Sequence, residues 1–350
     1  MATIKDVAKR AGVSISTVSN VINGSQYVSG ELTKKVQSAI SELHYRVDVT
    51  ARNMKIRSTK IIGVIVSSFN IIFVPQVMNG IQKFASEHGY QILFYSSDFS
   101  FEKEKRCVSL LLDHKVDGII MNSVASYQEK EYFQELAGLT VSHKKVFVVS
   151  LERNLSKYGI YSVHVNNFLG GKIAAEYLIE RGCSHIAVIS GPKFHDVVYD
   201  RLVGYRSALE KASLAYDSSL IEYGDYTTFS GYLAMKRIIM NGIQFDGVFS
   251  CNDQMAIGVL KALKESRIHS PEQVKIIGFD NTYVSSIAVP SLTTINVPKV
   301  RMGTVAAQKL TEMIEGNLPD GEISYEIPIN LIQRMTTDPE KENGIELEDW

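Results

Sequence analysis

The possible folds of residues 61–279 are limited most by seven short apolar runs, which are separated by amphipathic helical stretches. Continuous apolar strands that alternate with helices are typical of parallel sheets covered by helices on both faces. About 275 residues is large for one such sheet, so we predict two α/β lobes. The runs are IIGVIV (61–66), YQILFY (90–95), GIIM (118–121), VFVVS (146–150), IAVIS (186–190), GVFSC (247–251) and VKIIGF (274–279).

The first 60 residues differ from this body in charge. They carry ten Lys or Arg and four Asp or Glu, which is +6, although the net charge of the whole chain is −1. The remainder carries 27 basic and 34 acidic residues, which is −7. A basic segment attached to an acidic body predicts a polyanionic partner for the basic segment.

Three short helical patterns fill the basic segment. Thr3 and Asp6 have the spacing of a capping box, Gly12 can end the first helix, and Ser14 and Ser29 can cap the next two. Two short helices joined by a tight turn with glycine predict a helix-turn-helix, whose second helix reads base edges in the major groove. A purely structural three-helix cap is the alternative. The charge and the short polar residues of the second helix favour DNA binding.

Four motifs in this segment resemble the DNA-binding head of the lactose/galactose repressor family of bacterial transcriptional regulators. They are D-V-A at 6–8, A-G-V-S at 11–14, T-V-S at 17–19 and V-I-N at 21–23. The family pattern continues to about residue 334. The resemblance implies a small all-α head plus an α/β two-lobed, periplasmic-binding-protein-like body with parallel sheets.

The domain boundaries expected from this resemblance include three crossovers between the lobes, near 160–164, 289–294 and 320–326. Residues 336–350 form an acidic tail without a leucine heptad, so no tetramerising coiled coil is expected. The domains are a head at 1–46, a hinge at 47–59, an effector-binding and dimerisation body at 60–335 and the tail at 336–350.

The resemblance also implies which residues contact DNA, in the second helix of the head and in a hinge helix that enters the minor groove. Met54 stands where the family usually has a leucine wedge, and Val47 where it usually has proline. Met54 keeps an apolar side chain at the wedge position. Val47, in place of proline, loosens the start of the hinge helix. The expected DNA contacts are Thr3, Ser14, Ile15, Ser16, Thr17, Ser19, Asn20, Asn23, Ala51, Arg52, Met54 and Lys55.

Polar and aromatic residues follow the apolar runs of the body, where ligands of open α/β sheets bind. Asp, Asn and Arg can pair with vicinal hydroxyls, and aromatic rings can stack on a sugar. Each has a structural alternative: a turn cap for Asp280, a helix cap for Asn252 and Asp253, a surface position for Arg201, and an exposed loop for His195. The expected effector-binding residues are Phe73, Arg153, His195, Arg201, Tyr226, Asn252, Asp253 and Asp280.

The identity of the effector is less constrained than its site. A purine-responsive member of the family is expected to carry Arg near position 195 and Thr near 197, where this chain has His195 and Val197. Asn166 also stands where the family usually has Asp. A sugar or sugar derivative is therefore the leading expectation, and a nucleoside or a phosphocarrier protein stays open as an alternative.

Several features argue against other classes of protein. No nucleotide-binding or hydrolase motif is present, and Cys107, Cys183 and Cys251 lack the spacing of a metal site. The chain has no signal-peptide pattern and no apolar run long enough to span a membrane. Together with the family resemblance, these features lead us to expect a cytoplasmic homodimer that binds a near-palindromic operator and needs no cofactor or metal, rather than an enzyme or a secreted solute-binding protein.

Overall fold

A computed structural model describes residues 2–23, 26–45, 58–193, 195–318 and 321–341. The chain forms two compact units, Met1–Thr59 and Lys60–Trp350. Each unit has a hydrophobic core of its own.

The first unit contains three helices, α1 (Ile4–Ala11), α2 (Ile15–Asn23) and α3 (Gly30–Glu42). One residue from each helix is fully buried, namely Val7, Val18 and Val36, and these side chains form the centre of the core. The periodic apolar positions therefore fold the basic segment into the predicted three-helix head.

The turns of the head follow the sequence signals, with one exception. The capping box forms, since the Thr3 amide donates to Asp6 at 2.8 Å and the Asp6 amide donates to the Thr3 hydroxyl at 3.4 Å. Gly12 ends α1 at a φ of 68°, and the Thr17 amide donates to Ser14 Oγ at 3.0 Å. Ser29 precedes α3, but its side chain makes no capping hydrogen bond, so that expectation is wrong.

The second unit is built on two six-stranded sheets. The strands of the body are β1 (Ile61–Val66), β2 (Gln91–Ser96), β3 (Gly118–Met121), β4 (Thr140–Val141), β5 (Lys144–Lys145), β6 (Phe147–Glu152), β7 (Tyr161–His164), β8 (Ile186–Ser190), β9 (Ile221–Tyr223), β10 (Gly247–Ser250), β11 (Lys275–Asp280), β12 (Thr293–Asn296), β13 (Ser324–Glu326) and β14 (Asn330–Ile332). The first sheet has the order β13-β7-β6-β3-β1-β2 and the second the order β14-β12-β11-β10-β8-β9. All pairings within the two sheets are parallel except that of β12 with β14.

Helices connect and cover these strands, and β4 and β5 form a separate antiparallel pair. We call the layer around the first sheet the first lobe and the layer around the second sheet the second lobe. The helices are α4 (Phe73–Glu87), α5 (Phe101–Asp113), α6 (Lys130–Ala137), α7 (Asn167–Glu180), α8 (Asp196–Lys211), α9 (Thr228–Met240), α10 (Asp253–Glu265), α11 (Tyr283–Ile287) and α12 (Lys299–Ile314).

The chain passes between the lobes three times, a few residues later than expected each time. Residues 160–164 include β7 of the first sheet, residues 289–294 lead into β12 of the second sheet, and residues 320–326 include β13 of the first sheet. The passages follow these strands, at 165–166, 297–298 and 327–329. The predicted positions were early because β7, β12 and β13 are short and mix polar with apolar residues, so they do not stand out as apolar runs.

The boundary of the acidic tail also needs correction. Thr336 and Thr337 are buried in the second lobe, and the Thr336 hydroxyl donates to the Ile276 carbonyl at 2.7 Å. The body therefore extends beyond residue 335, and the remainder of the predicted tail, 342–350, lies outside the described residues.

Two glycines allow α7 and α8 to pack backbone against backbone. A Cβ atom on Gly171 would lie 2.0 Å from the Arg201 carbonyl oxygen, and one on Gly204 would lie 2.0 Å from the Phe168 carbonyl oxygen. Such distances exclude a larger side chain unless the helices separate. This close approach fixes α8 against α7, and it thereby fixes the placement of Arg201, which α8 carries.

Candidate functional site

The carboxyl ends of strands from both sheets border a cavity between the two lobes. The space, counting its mouth to solvent, is about 400 Å³. Its lining residues are Ser67, Ile71, Phe73, Val74, Phe99, Asn122, Glu152, His195, Val197, Arg201, Tyr226, Asn252 and Asp280.

Arg201 projects into this cavity from α8 and is held on several sides. Its Nε donates to Asn167 Oδ1 at 2.9 Å, and its Nη1 donates to the Cys251 carbonyl. The guanidinium lies 3.6 Å from the centre of the Phe279 ring, and Nη2 lies 4.0 Å from Asp280 Oδ1. The side chain is thus preorganised for a polar ligand.

Two carboxylates line the cavity near this arginine. Glu152 ends β6 in the first lobe and accepts a hydrogen bond from Asn122 Nδ2, and Asp280 ends β11 in the second lobe. Burial raises the pKa of Glu152 and raises that of Asp280 well above its usual range. Because burial destabilises the charged form of each carboxyl group, hydrogen-bond donors from a ligand would stabilise that charged form.

Four of the lining residues have backbone conformations that side chains rarely adopt. The φ angles are 56° at Phe99, 63° at Glu152, 70° at Tyr226 and 100° at Asp280. Conformations of this kind cluster at ligand sites, where the surrounding structure holds them. They lie in both lobes, which is consistent with a binding site built from the two together.

His195 and Tyr226 form the second-lobe wall opposite Phe99. His195 Nδ1 and the Tyr226 hydroxyl are 2.9 Å apart, and the Phe99 and Tyr226 rings stack with centroids 5.8 Å apart. Burial lowers the pKa of His195 to about 3, so the imidazole is neutral at physiological pH. Its buried Nε2 finds no hydrogen-bond partner among the described residues and is available to a ligand.

Six of the eight residues predicted to bind the effector line the cavity: Phe73, His195, Arg201, Tyr226, Asn252 and Asp280. Asn252 is also a helix cap, since its Oδ1 accepts from the Met255 amide at 2.9 Å. The alternative given for Asn252 is therefore compatible with a place in the cavity. Their contacts with a ligand remain predictions.

The other two predicted residues, Arg153 and Asp253, do not line the cavity. Arg153 follows the last residue of β6 and turns away to pair with Asp196 at 2.8 Å. Asp253 accepts from the Thr282 amide at 2.6 Å and from the Thr294 hydroxyl at 2.6 Å, so it fixes the turn after β11. Both carboxylate oxygens of Asp253 are used inside the second lobe. An effector contact by Arg153 or Asp253 remains a prediction, and the lining of this cavity does not include them.

The prediction missed seven lining residues: Ser67, Ile71, Val74, Phe99, Asn122, Glu152 and Val197. The reasons differ among Asn122, Glu152 and Phe99. Asn122 follows GIIM directly, so the rule that identified the other strand ends applied to it as well. Glu152 was missed because β6 runs two residues beyond the apolar run at 146–150. Phe99 lies three residues beyond the end of β2, and no local signal marks it.

In the head, the predicted DNA-contacting residues occupy exposed, capping and half-buried positions. Ile15, at 45% exposure, and Ser16 are exposed on α2. Thr3 serves the cap of α1, and Ser14 Oγ lies 2.8 Å from the Thr17 hydroxyl. Ser19 and Asn20 are half-buried on α2. The side chain of Asn23, and residues Ala51, Arg52, Met54 and Lys55, lie outside the described part of the chain.

Within the described residues, no helix is both long and apolar enough to cross a membrane. The same part of the chain contains no cluster of three His, Cys, Asp or Glu side chains arranged to hold a metal ion.

Comparison with known proteins identifies both units. Residues 3–48 match the family described as bacterial regulatory proteins, lacI family, and residues 175–337 match the periplasmic binding protein-like domain. The chain is 34% identical over 337 residues to the HTH-type transcriptional repressor PurR of Edwardsiella ictaluri, covering 96% of this chain and 97% of that protein. The PurR of Shigella sonnei gives the same values.

Two solved structures extend the likeness over almost the whole chain. The lac repressor dimer bound to operator and the anti-inducer ONPF matches with a TM-score of 0.86 at 27% identity, covering 96% of this chain and 99% of that one. The complex of the transcriptional regulator CelR with cellobiose matches with a TM-score of 0.70 at 31% identity, and the match covers 96% of this chain and 100% of that one.

A helix-turn-helix head and a two-lobed body with a polar cavity define a class: transcriptional regulators that bind DNA and carry an effector-binding body. Within that class, this chain belongs to the lacI family of bacterial regulatory proteins. The predicted fold and the predicted function as a DNA-binding regulator are thereby confirmed.

Proposed function

We propose that an uncharged sugar or sugar derivative binds in the cavity and controls the affinity of this repressor for its operator. The observation that carries the proposal is the placement of Arg201 near two carboxyl groups, the half-buried Glu152 and the buried Asp280, beside aromatic walls. Carboxylates accept hydrogen bonds from hydroxyls and a guanidinium donates to them, so vicinal hydroxyls suit this set. Phe73 and Phe99 can cover the apolar face of a sugar ring.

The charge balance of the cavity favours a neutral ligand over a sugar phosphate. Glu152 and Asp280 are acidic, Arg201 is the basic group that lines the cavity, and His195 is neutral. Arg153, the nearby second arginine, is paired with Asp196. A phosphate group would therefore find one arginine to balance its charge, and it would lie beside two acids whose charged forms burial already destabilises.

The aromatic residues favour a sugar over a nucleoside. The Phe99 and Tyr226 rings are stacked on each other with centroids 5.8 Å apart, so a purine cannot lie between them unless they separate. The CelR structure contains cellobiose, which supports a sugar as the class of effector for this related chain.

On the DNA side, we propose a homodimer that binds a near-palindromic operator in the cytoplasm, as expected from the sequence. A two-fold dimer places one recognition helix in each half-site. The exposure of Ile15 and Ser16 on α2 supports base reading by this helix, and the lac repressor structure is a dimer on its operator. The hinge residues Ala51, Arg52, Met54 and Lys55 are proposed minor-groove contacts on the sequence resemblance alone.

A thermal-shift panel tests the class of effector. We expect a neutral sugar, with cellobiose as one of the compounds, to raise the unfolding temperature, because a ligand present at 100 times its Kd stabilises the folded state by about 2.7 kcal/mol. The panel also contains glucose 6-phosphate, adenosine and a phosphocarrier protein. Stabilisation by one of these three and by none of the sugars would contradict the proposal.

Two matched variants show whether the shift arises in the cavity. Asp280→Asn removes a lining carboxylate, and we expect it to lose most of the sugar-induced shift. Asp113→Asn changes an exposed aspartate at the end of α5 and should keep the full shift. Equal shifts in the two variants would place the sugar outside this cavity.

A further inference from the structure

An ion pair joins the two lobes directly beside the cavity. Arg153 of the first lobe donates from Nη2 to Asp196 Oδ2 of the second lobe at 2.8 Å. Each partner follows a cavity residue in the chain, since Glu152 precedes Arg153 and His195 precedes Asp196. The ion pair and the cavity therefore share two short backbone segments, one from each lobe.

The first lobe holds the arginine firmly. Arg153 Nη1 donates to the Ser123 carbonyl at 3.1 Å and to the Ala125 carbonyl, and the guanidinium lies 4.3 Å from the centre of the Tyr127 ring. The Arg153 side chain is 0% exposed. Because these contacts come from the first lobe, the guanidinium is already oriented toward the second lobe.

The carboxylate of Asp196 receives a second donor from the first lobe. The Tyr127 amide donates to the same oxygen, Oδ2, at 2.7 Å. Asp196 is the first residue of α8, which also carries Arg201. One carboxylate thus connects the first lobe to the helix that supplies the arginine of the cavity.

We propose that Arg153 and Asp196 are positioning residues for the effector: their ion pair holds the lobes together over the cavity and keeps Glu152 and His195 in place. The part that concerns the effector rests on the proposed function. The part that concerns the lobes can be tested without any ligand. A buried arginine that loses its carboxylate partner is strongly destabilised, so the joined arrangement should depend on Asp196.

A second contact between the lobes provides an independent readout. Gln254 of α10 accepts from the Ile72 amide at 3.1 Å and donates to the Asn70 carbonyl at 3.1 Å. No residue is common to this contact and to the pair of Arg153 with Asp196. The Ile72 amide therefore reports on separation of the lobes and not on local changes around Asp196.

Amide hydrogen exchange of the full chain, without sugar or DNA, tests the proposal. We expect Asp196→Ala to speed exchange of the Ile72 amide at least about tenfold, because local opening governs exchange of a hydrogen-bonded amide. Asp196→Asn keeps an oxygen for the Tyr127 amide but loses the charge opposite Arg153, and should give an intermediate rate. Glu210→Ala, at an exposed acid near the end of α8, is the matched control and should leave the rate at the wild-type value.

The outcomes separate this proposal from the proposed function. Faster exchange at Tyr127 with an unchanged rate at Ile72, in both Asp196 variants, would overturn the proposal and reduce the ion pair to a local contact. A sugar that stabilises the protein despite that result would leave the proposed function standing. Faster exchange at Ile72 together with an unresponsive sugar panel would support the ion pair and refute the effector class.

Discussion

Replacing Arg201 with alanine is expected to abolish the effector response of this regulator while DNA binding itself persists. The arginine donates to Asn167 and to the Cys251 carbonyl, and it is the basic group that lines the cavity. Its loss removes a donor for the ligand and leaves Asn167 Oδ1 and the Cys251 carbonyl oxygen without this hydrogen bond. A lost hydrogen bond to a charged group in a buried site costs about 1–3 kcal/mol, so effector affinity should fall by a factor of about 10 to 100.

The measurement is a titration of labelled operator DNA with and without the sugar that the panel identifies. Arg206→Ala is the matched control, because Arg206 is an exposed arginine on the same helix. It should respond like the wild type. A full effector response in the Arg201 variant would show that the cavity is not the effector site.

Gly204→Ala is expected to have the largest effect on stability. A Cβ atom there would lie 2.0 Å from the Phe168 carbonyl and 2.7 Å from the Lys172 amide nitrogen, so the two helices must move apart. Overpacking usually costs about 1–3 kcal/mol, and a clash with backbone should reach the upper end of this range or exceed it. Since α8 carries Arg201, effector affinity should fall as well.

Urea unfolding compares this variant with Gly138→Ala. Gly138 has a φ of −98°, and a Cβ atom there would find its nearest neighbour at 3.6 Å, which is ordinary contact. We expect less than about 1 kcal/mol of change in its free energy of unfolding. Equal stabilities for the two variants would mean that the close approach of α7 and α8 does not constrain the fold.

Long-range periodicity made the fold readable from the sequence. The run at 118–121 coincides with β3 and the run at 186–190 with β8, because both strands are apolar on both faces. Strands such as β7 and β13 could not be found in this way, since they are short and mix Ser, Glu or His with apolar residues. The three passages between the lobes depend on these strands and were therefore displaced.

The cavity was partly readable for a different reason. Polar residues at strand ends must lie at one edge of a parallel sheet, which brought Asn252 and Asp280 into the prediction. Arg201 lies within α8, and the family resemblance favoured its ligand role. The rule on strand ends does not predict in which direction a side chain one residue beyond the strand points. Arg153 and Glu152 are neighbours, and the exact end of β6 decides which of them faces the ligand site.

The central claim is that a ligand in the cavity changes the affinity of the head for DNA, and the most direct test is the Kd of the effector measured twice. Calorimetry gives this Kd for the free protein and for the protein saturated with operator. Linkage requires that the two values differ by the same factor by which the effector changes operator affinity. We predict a difference of about 5- to 150-fold, the usual span of such coupling. Identical values of Kd on and off the operator would contradict the account.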